Sequence, residues 1–172
     1  MIILAFVLLG LLSNAQSTSE KSLDIYLLNR TDFKKLIAQS DKKYHLIYSF
    51  GYWCKPCLES MPKVMDIVNE RDDLAFYPLI VEKLDSDEVT KNVAFLKQKY
   101  GYIGNVYSAD PALGKNPRYA YHAFVEILAP EHKEYGMSLI LLFHQNGNLL
   151  LATTYNQTSG EKMELLKLAL SK

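Results

Sequence analysis

The chain contains two cysteines, Cys54 and Cys57, which are three residues apart. They come directly after a strand-like apolar run, Tyr44–Phe50, at the point where a helix-like pattern begins. Residues three apart on a helix have Cβ atoms about 5 to 6 Å apart, near enough for a disulfide to close and open with small adjustments. The spacing therefore predicts a redox-active dithiol. A purely structural disulfide and a metal site are the alternatives, although a zinc site would need two further ligands.

The two cysteines are expected to have different reactivities. Cys54 would lie at the first turn of the helix, where unpaired backbone donors and the positive end of the helix dipole favour a thiolate. A thiol with the ordinary pKa of roughly 8.5 is only about 3% thiolate at neutral pH, and a pKa of about 7 raises that fraction to about half. Lys55 adds a positive charge whose effect is small if it is exposed. We therefore predict that Cys54 attacks and forms a mixed disulfide, and that Cys57 resolves it.

The run from Trp53 to Cys57, with Pro62 five residues beyond it, resembles the active-site run of thioredoxin-like proteins. The resemblance covers about residues 23–170 in the order of the elements. It is closest to the exported thiol-disulfide oxidoreductases of the TlpA and ResA type. It implies an α/β thioredoxin-like fold of three layers, in which helices flank a central mixed sheet and an insertion precedes the final hairpin.

The resemblance also implies roles for the residues around the dithiol. The first cysteine, Cys54, would be the nucleophile, and Trp53 would shape the surface beside its sulfur. Lys55 and Pro56 would tune the redox potential. The implied activity is disulfide exchange with protein thiols or disulfides, supported by a redox partner protein, without a cofactor or bound metal. By analogy with the exported members, the expected direction is reduction.

Two positions depart from the family pattern. Thioredoxin-like proteins normally have a cis-proline just before the strand that faces the dithiol, and counting back from the hairpin places Ser138 there, after Met137. A serine disfavours a cis bond by roughly 2.5 to 4 kcal/mol. Tyr48 occupies the place of the buried acid that assists proton transfer in thioredoxin, and Glu59 is the nearby carboxylate in sequence.

Length and composition favour one folded domain. The chain has 172 residues, of which 49% are hydrophobic and 22% charged, enough apolar sequence for a full core. The 19 basic and 19 acidic residues give a formal net charge of zero. This balance argues against nucleic acid as a partner.

The first residues read as a secretory signal peptide. Residues 1–12 are almost entirely apolar, and Ser13, Asn14 and Ala15 supply the small residues of a cleavage site. The apolar run is too short to span a membrane. No basic residue precedes Lys21, so an uncleaved anchor or an apolar tail packed on the domain remains an alternative. We predict a signal peptide at 1–15, export to the periplasm or the medium, a domain at 22–172, and no stable membrane span after cleavage.

Apolar periodicity predicts alternating strands and helices, which favours a parallel core sheet. The Asn-Gly step at 146–147 predicts a final hairpin. Thr31 is a candidate helix cap, and Asp85 with Glu88 forms a capping-box pattern, as does Thr158 with Glu161. Residues 101–135 read as an insertion or a lid-like region. The predicted strands are 23–28, 44–50, 74–81, 105–107, 138–143 and 149–154. The predicted helices are a short helix capped by Thr31, the helices 55–70, 85–100 and 118–128, and a final helix capped by Thr158 that carries Leu170.

Other polar and aromatic residues give weaker signals. The four histidines, His45, His122, His132 and His144, are scattered and read as surface or structural residues. Five tyrosines could line a groove for a partner or simply pack; they are Tyr100, Tyr102, Tyr107, Tyr119 and Tyr121. The alternative functions are a non-catalytic thioredoxin-like binding module, a Cu(I) carrier that uses the two thiolates, and peroxide reduction at Cys54.

Overall fold

The computed structural model describes residues 25–132 and 136–171. The predicted signal peptide at 1–15 and the predicted start of the domain at 22 lie outside the described residues. The strands are β1 (Ile25–Leu28), β2 (Tyr44–Phe50), β3 (Leu74–Ile80), β4 (Val106–Ala109), β5 (Ile140–His144) and β6 (Leu149–Ala152). The α-helices are α1 (Arg30–Gln39), α2 (Lys55–Asn69), α3 (Asp87–Tyr100), α4 (Pro117–Leu128) and α5 (Ser159–Leu170), and a 3-10 helix covers Pro111–Leu113.

The described strands form one mixed sheet in the order β1-β4-β3-β2-β5-β6. The first four strands in this order are parallel, and β5 and β6 form an antiparallel hairpin beside β2. Every residue of β2 is buried, because the strand has a neighbour on each side and helices on each face. The predicted central strand, 44–50, is confirmed.

Two apolar layers cover the faces of the sheet. Tyr48 and the other even-numbered residues of β2 belong to the layer under α2, α3 and α5, whereas Ile47 belongs to the layer under α1 and α4. This alternation follows from the two-residue period of a strand. It places Tyr48 on the face of α2, which carries the cysteines, and Ser49 on the face of α4. The predicted three-layer α/β fold is confirmed.

The helix termini show which capping signals the chain uses. Asn29, not the predicted Thr31, caps α1, and its side chain accepts a hydrogen bond of 3.0 Å from the Asp32 backbone N–H. The capping box of α5 is formed by Thr158 and Glu161. The prediction for α1 was wrong by two residues, and the prediction for α5 is confirmed.

The start of α3 differs from its predicted capping box. The helix begins one residue after Ser86, whose side chain makes no capping hydrogen bond. The carboxylate of Asp85 instead accepts from the Lys83 ammonium at 3.0 Å, and that of Glu88 accepts from Lys91 at 2.7 Å. Both carboxylates are thus paired with lysines, and the predicted capping box is wrong.

The segment predicted as an insertion or lid is built into the central layers. Its strand, β4, lies between β1 and β3, and its helix, α4, contributes Ala120, Phe124 and Val125 to the core on one face of the sheet. The lid-like interpretation is wrong for the described part of this segment. No described helix is long and apolar enough to cross a membrane.

Candidate functional site

Cys54 and Cys57 form a disulfide at the junction of β2 and α2, with their Cα atoms 5.2 Å apart. Cys54 is the N-cap residue of α2, and its sulfur accepts a hydrogen bond of 3.3 Å from the Cys57 backbone N–H. Cys54 retains 6% of its surface, whereas Cys57 has none. Cys54 is therefore the more accessible of the two cysteines.

Cys57 is surrounded by backbone and hydroxyl oxygens. Its sulfur lies 4.0 Å from the carbonyl oxygen of Ser49, which can accept the thiol proton in the reduced form. The hydroxyl of Tyr48 donates to the carbonyl oxygen of Cys57 at 3.0 Å. These contacts hold the first turn of α2 against the central strand.

Lys55 and Pro56 lie between the cysteines on the exposed side of this turn. The ammonium of an exposed lysine is screened by water and salt, so its effect on a neighbouring sulfur is small. The N-terminus of the 15-residue helix α2 is the fixed positive partial charge beside Cys54.

Trp53 lies on the surface beside the disulfide, with 55% of its side chain exposed. Its indole N–H donates to a carboxylate oxygen of Glu82 at 2.6 Å. The ring lies over Gly51, where an added Cβ would come within 2.9 Å of it. Glycine at position 51 therefore leaves room for the indole ring. Glu82 was not predicted as a site residue, although it follows β3 at the sheet edge where β2 also ends.

Ser138 contacts the first turn of α2 and lies before β5, not within the predicted strand 138–143. Its φ is +66°, a left-handed conformation that a strand residue does not adopt. Its N–H donates to the Ser49 carbonyl at 3.0 Å, and its hydroxyl lies 3.5 Å from the Pro56 carbonyl. All peptide bonds in residues 25–132 and 136–171 are trans. The structure thus places Ser138 directly against the helix turn that holds the cysteines.

Tyr48 is fully buried behind the disulfide. Its burial raises the pKa of the phenol to about 12, although hydrogen bonds with Ser138 and Ser60 act in the opposite direction. The phenol is therefore neutral at physiological pH and cannot act as the buried acid does in thioredoxin. Glu59 is exposed, so it does not fill that buried place either.

Comparisons with known proteins find similarity in structure. No protein-family model matches the chain, and no curated protein sequence matches it. A thiol-disulfide isomerase from Corynebacterium glutamicum superimposes with a TM-score of 0.52 at 16% identity, over 76% of this chain and 82% of that chain. A thioredoxin-like protein from Aeropyrum pernix gives a TM-score of 0.50 at 12% identity, over 77% of this chain and 81% of that chain. The fold is thioredoxin-like.

A third structure, a thioredoxin-like protein in its oxidised form, gives a TM-score of 0.52 at 15% identity, over 77% of this chain and 81% of that chain. The predicted resemblance to thioredoxin-like proteins is confirmed at the level of the fold. A disulfide with CxxC spacing stands at the end of the central strand in this chain.

A cavity of about 330 Å³ lies beside the disulfide surface of this thioredoxin-like domain. Trp53 forms one wall of the cavity, and residues of α4 and of the loop before β5 form other walls. The residues that line it are Trp53, Val81, Arg118, Tyr121, His122, Gly136 and Met137. Of the five tyrosines considered from the sequence, Tyr121 alone lines this cavity.

A relay of hydrogen bonds connects Tyr121 to the loop before β5. The Leu139 N–H donates to the Ser49 hydroxyl at 3.0 Å, and the Tyr121 hydroxyl donates to the Gly136 carbonyl at 2.9 Å. The Ser49 and Tyr121 hydroxyls lie 3.0 Å apart, so Ser49 donates to Tyr121. The relay fixes the loop that forms one wall of the cavity.

Tyr121→Phe is expected to lower the free energy of unfolding by about 1 to 3 kcal/mol, because the buried Ser49 hydroxyl loses its acceptor and the Gly136 carbonyl its donor. Urea denaturation of the oxidised protein measures the effect. Tyr119→Phe is the matched control on the same helix, since its ring is 51% exposed and should change stability little. Equal, small changes in both variants would show that the relay contributes nothing.

The histidines lie away from the disulfide, except for His122 in the cavity wall. His45 is buried, and its ring nitrogens lie 3.0 Å from the Tyr77 hydroxyl and 3.1 Å from the Lys42 carbonyl. Burial lowers the pKa of His45, which favours the neutral ring in this structural position. Within the described ranges, no three histidine, cysteine or acidic side chains are grouped as a metal site.

Proposed function

We propose that this protein is an exported thiol-disulfide oxidoreductase that reduces disulfides in protein substrates through Cys54 and Cys57. One observation carries the proposal. The disulfide lies at the N-terminus of α2, where Cys54 keeps 6% of its surface exposed and Cys57 keeps none. This asymmetry is what a nucleophilic and a resolving cysteine need.

The exchange proceeds in two balanced steps. The Cys54 thiolate attacks one sulfur of a substrate disulfide, the substrate S–S bond breaks, and the leaving sulfur takes up a proton. Cys57 then loses its proton and attacks the sulfur of Cys54, which breaks the mixed disulfide and releases the second substrate thiol. Two electrons pass to the substrate and Cys54–Cys57 becomes a disulfide. A redox partner protein with its own dithiol must reduce it again.

The neighbouring residues have separate roles in this proposal. Trp53 contacts the bound substrate chain, because its indole is exposed beside Cys54 and forms a wall of the adjacent cavity. Lys55 and Pro56 tune the potential from the exposed turn between the sulfurs. Ser138 positions that turn through its contact with the Pro56 carbonyl.

Export is the part of the proposal that rests on the sequence of residues 1–15. An apolar run followed by small residues is typical of a signal peptide. Outside the cytoplasm a disulfide persists unless a partner reduces it, so a reductive role requires a dedicated electron donor.

Cys57→Ser is expected to trap the mixed disulfide on Cys54, because the resolving thiol is missing. Adducts isolated after oxidative challenge of the source cells should contain the variant linked to substrate proteins. The mass of the trapped chain should correspond to a start at Gln16. The double variant Cys54→Ser/Cys57→Ser is the matched control and should capture nothing. Absence of adducts with Cys57→Ser would contradict exchange, and retention of residues 1–15 would contradict cleavage.

The direction of exchange is decided by the reduction potential of the wild-type pair in glutathione buffers. A value near that of thioredoxin, roughly −270 mV, supports the reductant, and a value near that of DsbA, roughly −120 mV, contradicts it. Stoichiometric Cu(I) binding without insulin reduction would instead identify a binding protein.

A further inference from the structure

Lys162 is a buried lysine in α5, with 1% of its surface exposed. Its ammonium donates a hydrogen bond of 2.8 Å to the carbonyl oxygen of Ser138. None of the ion pairs among residues 25–132 and 136–171 includes it. Fully buried lysines are rare unless they are paired, because removing an ammonium from water is costly. A buried lysine is therefore expected either to have a role for its positive charge or to be in its neutral form.

The position of Lys162 connects it to the dithiol. The hydroxyl of Ser138, its partner residue, lies 3.2 Å from the Tyr48 hydroxyl and 3.5 Å from the Pro56 carbonyl. Tyr48 in turn donates to the carbonyl of Cys57. A single residue, Ser138, therefore separates the ammonium from the helix turn that carries both cysteines.

The described groups around Lys162 provide no competing negative charge. Tyr48 faces this region from β2 and is neutral, and Ser60 faces it from α2, where its hydroxyl lies 3.5 Å from that of Ser138. Glu59 on α2 and Glu164 on α5 are exposed. The carboxylate of Glu161 lies at the N-terminal end of α5, where it accepts hydrogen bonds from the backbone N–H and the hydroxyl of Thr158. Reduction of the disulfide would place a new anion, a thiolate, on the helix turn that Ser138 contacts.

We propose that Lys162 is a positioning residue whose ammonium stabilises the Cys54 thiolate of the reduced protein and thereby raises the reduction potential of the Cys54–Cys57 pair. This inference rests on the proposed function. The step it affects is the uptake of two electrons and one proton, which breaks the disulfide and leaves a thiolate on Cys54 and a thiol on Cys57. The electrons come from the dithiol of the redox partner, and Lys162 remains protonated.

The direction of the change in reduction potential follows from the charges of the oxidised and reduced states. In the oxidised protein both sulfurs are uncharged, so the ammonium gains nothing from them. In the reduced protein the thiolate and the ammonium attract each other through an interior that screens charge less than water does. Burial lowers the pKa of Lys162, and a nearby thiolate opposes that shift. The cation thus favours the reduced state and makes the protein a milder reductant.

Lys162→Met tests the inference, since methionine fills a similar volume without the charge. In glutathione buffers, the equilibrium constant for reduction of the Cys54–Cys57 disulfide is expected to fall about tenfold, which corresponds to a potential about 30 mV more negative. Lys167→Met, at an exposed position of the same helix, is the matched control and should leave the constant unchanged. A folded Lys162→Met protein with the wild-type potential would overturn the inference.

A second measurement needs no variant and covers the case in which Lys162→Met does not fold. Linkage requires that if Lys162 stabilises the thiolate, the thiolate stabilises the ammonium by the same factor. The Lys162 Cε resonance of wild-type protein labelled with 13C-lysine should therefore titrate about one pH unit higher in the reduced than in the oxidised form. Identical titrations in both forms would overturn the inference.

The two proposals fail in different ways. If wild-type protein reduces insulin but Lys162→Met keeps the wild-type potential, or Lys162 titrates identically in both redox forms, the exchange function stands and the role of Lys162 is lost. If insulin reduction and trapping both fail, the exchange function is lost whatever Lys162 does.

Discussion

Cys54→Ser is expected to reduce the rate of insulin reduction to that of the uncatalysed reaction. The serine hydroxyl is not ionised near neutral pH and does not attack a disulfide, and the remaining thiol of Cys57 is fully buried. A substrate sulfur has no route to Cys57 while the first turn of α2 is held by Tyr48 and Ser138. Turbidity of reduced insulin chains, with a chemical dithiol as electron source, measures the rate.

Cys57→Ser is the matched control for this loss, because it also removes the disulfide but leaves the thiol of Cys54, the more accessible of the two cysteines. It should show one rapid equivalent of mixed-disulfide formation, followed by slow release that depends on the added dithiol. Both variants lack the cross-link, so a difference between them reports the roles of the sulfurs and not the stability of the fold. Equal initial rates in Cys54→Ser and Cys57→Ser would contradict the assignment of Cys54 as the nucleophile.

The core of the fold was predictable because its signals are local and strong. The continuous apolar run of β2 favours a strand buried on both faces, and the helical spacing after Cys54 predicts that α2 follows it directly. The Asn-Gly step fixed the final hairpin, where Gly147 has a φ of +83°. These elements place the two cysteines at a strand-to-helix junction, which is the central feature of the site.

The order of the strands was not predictable in the same way. The spacing of β1, β3 and β4 is compatible with several parallel arrangements, and only packing decides that β4 lies between the other two. For this reason residues 101–135 read as a lid, although α4 is part of the core. Helix starts were similarly ambiguous, since both Asn29 and Thr31 can cap a helix.

Most of what could be predicted of the site is contiguous in sequence, and Ser138, found by counting back from the hairpin, is the distant residue that was predicted. Trp53 and the cysteines belong to one run, so their proximity needs no knowledge of the fold. Glu82, Tyr121 and Lys162 reach the site from the loop after β3, from α4 and from α5, and nothing in their local sequence distinguishes them from other polar residues. A buried lysine in particular has no sequence signal, because its helix position reads equally well as surface.

Ser138→Pro, which introduces the residue that thioredoxin-like proteins normally have here, is expected to lower the free energy of unfolding by about 3 kcal/mol or more. Proline fixes φ near −65°, whereas Ser138 has a φ of +66°. Proline also lacks the N–H that donates to the Ser49 carbonyl, and it removes the hydroxyl beside Tyr48. Urea denaturation of the oxidised variant and of wild type measures the difference.

Ser138→Gly separates the backbone effect from the loss of the hydroxyl. Glycine keeps the N–H and adopts a positive φ without strain, and the strain it relieves, about 1 to 2 kcal/mol, offsets most of the cost of the lost hydroxyl contacts. Its stability should therefore remain close to that of wild type. If Ser138→Pro were as stable as Ser138→Gly, the loop before β5 could rearrange at no cost. Serine would then not be needed to hold the turn that carries Cys54 and Cys57.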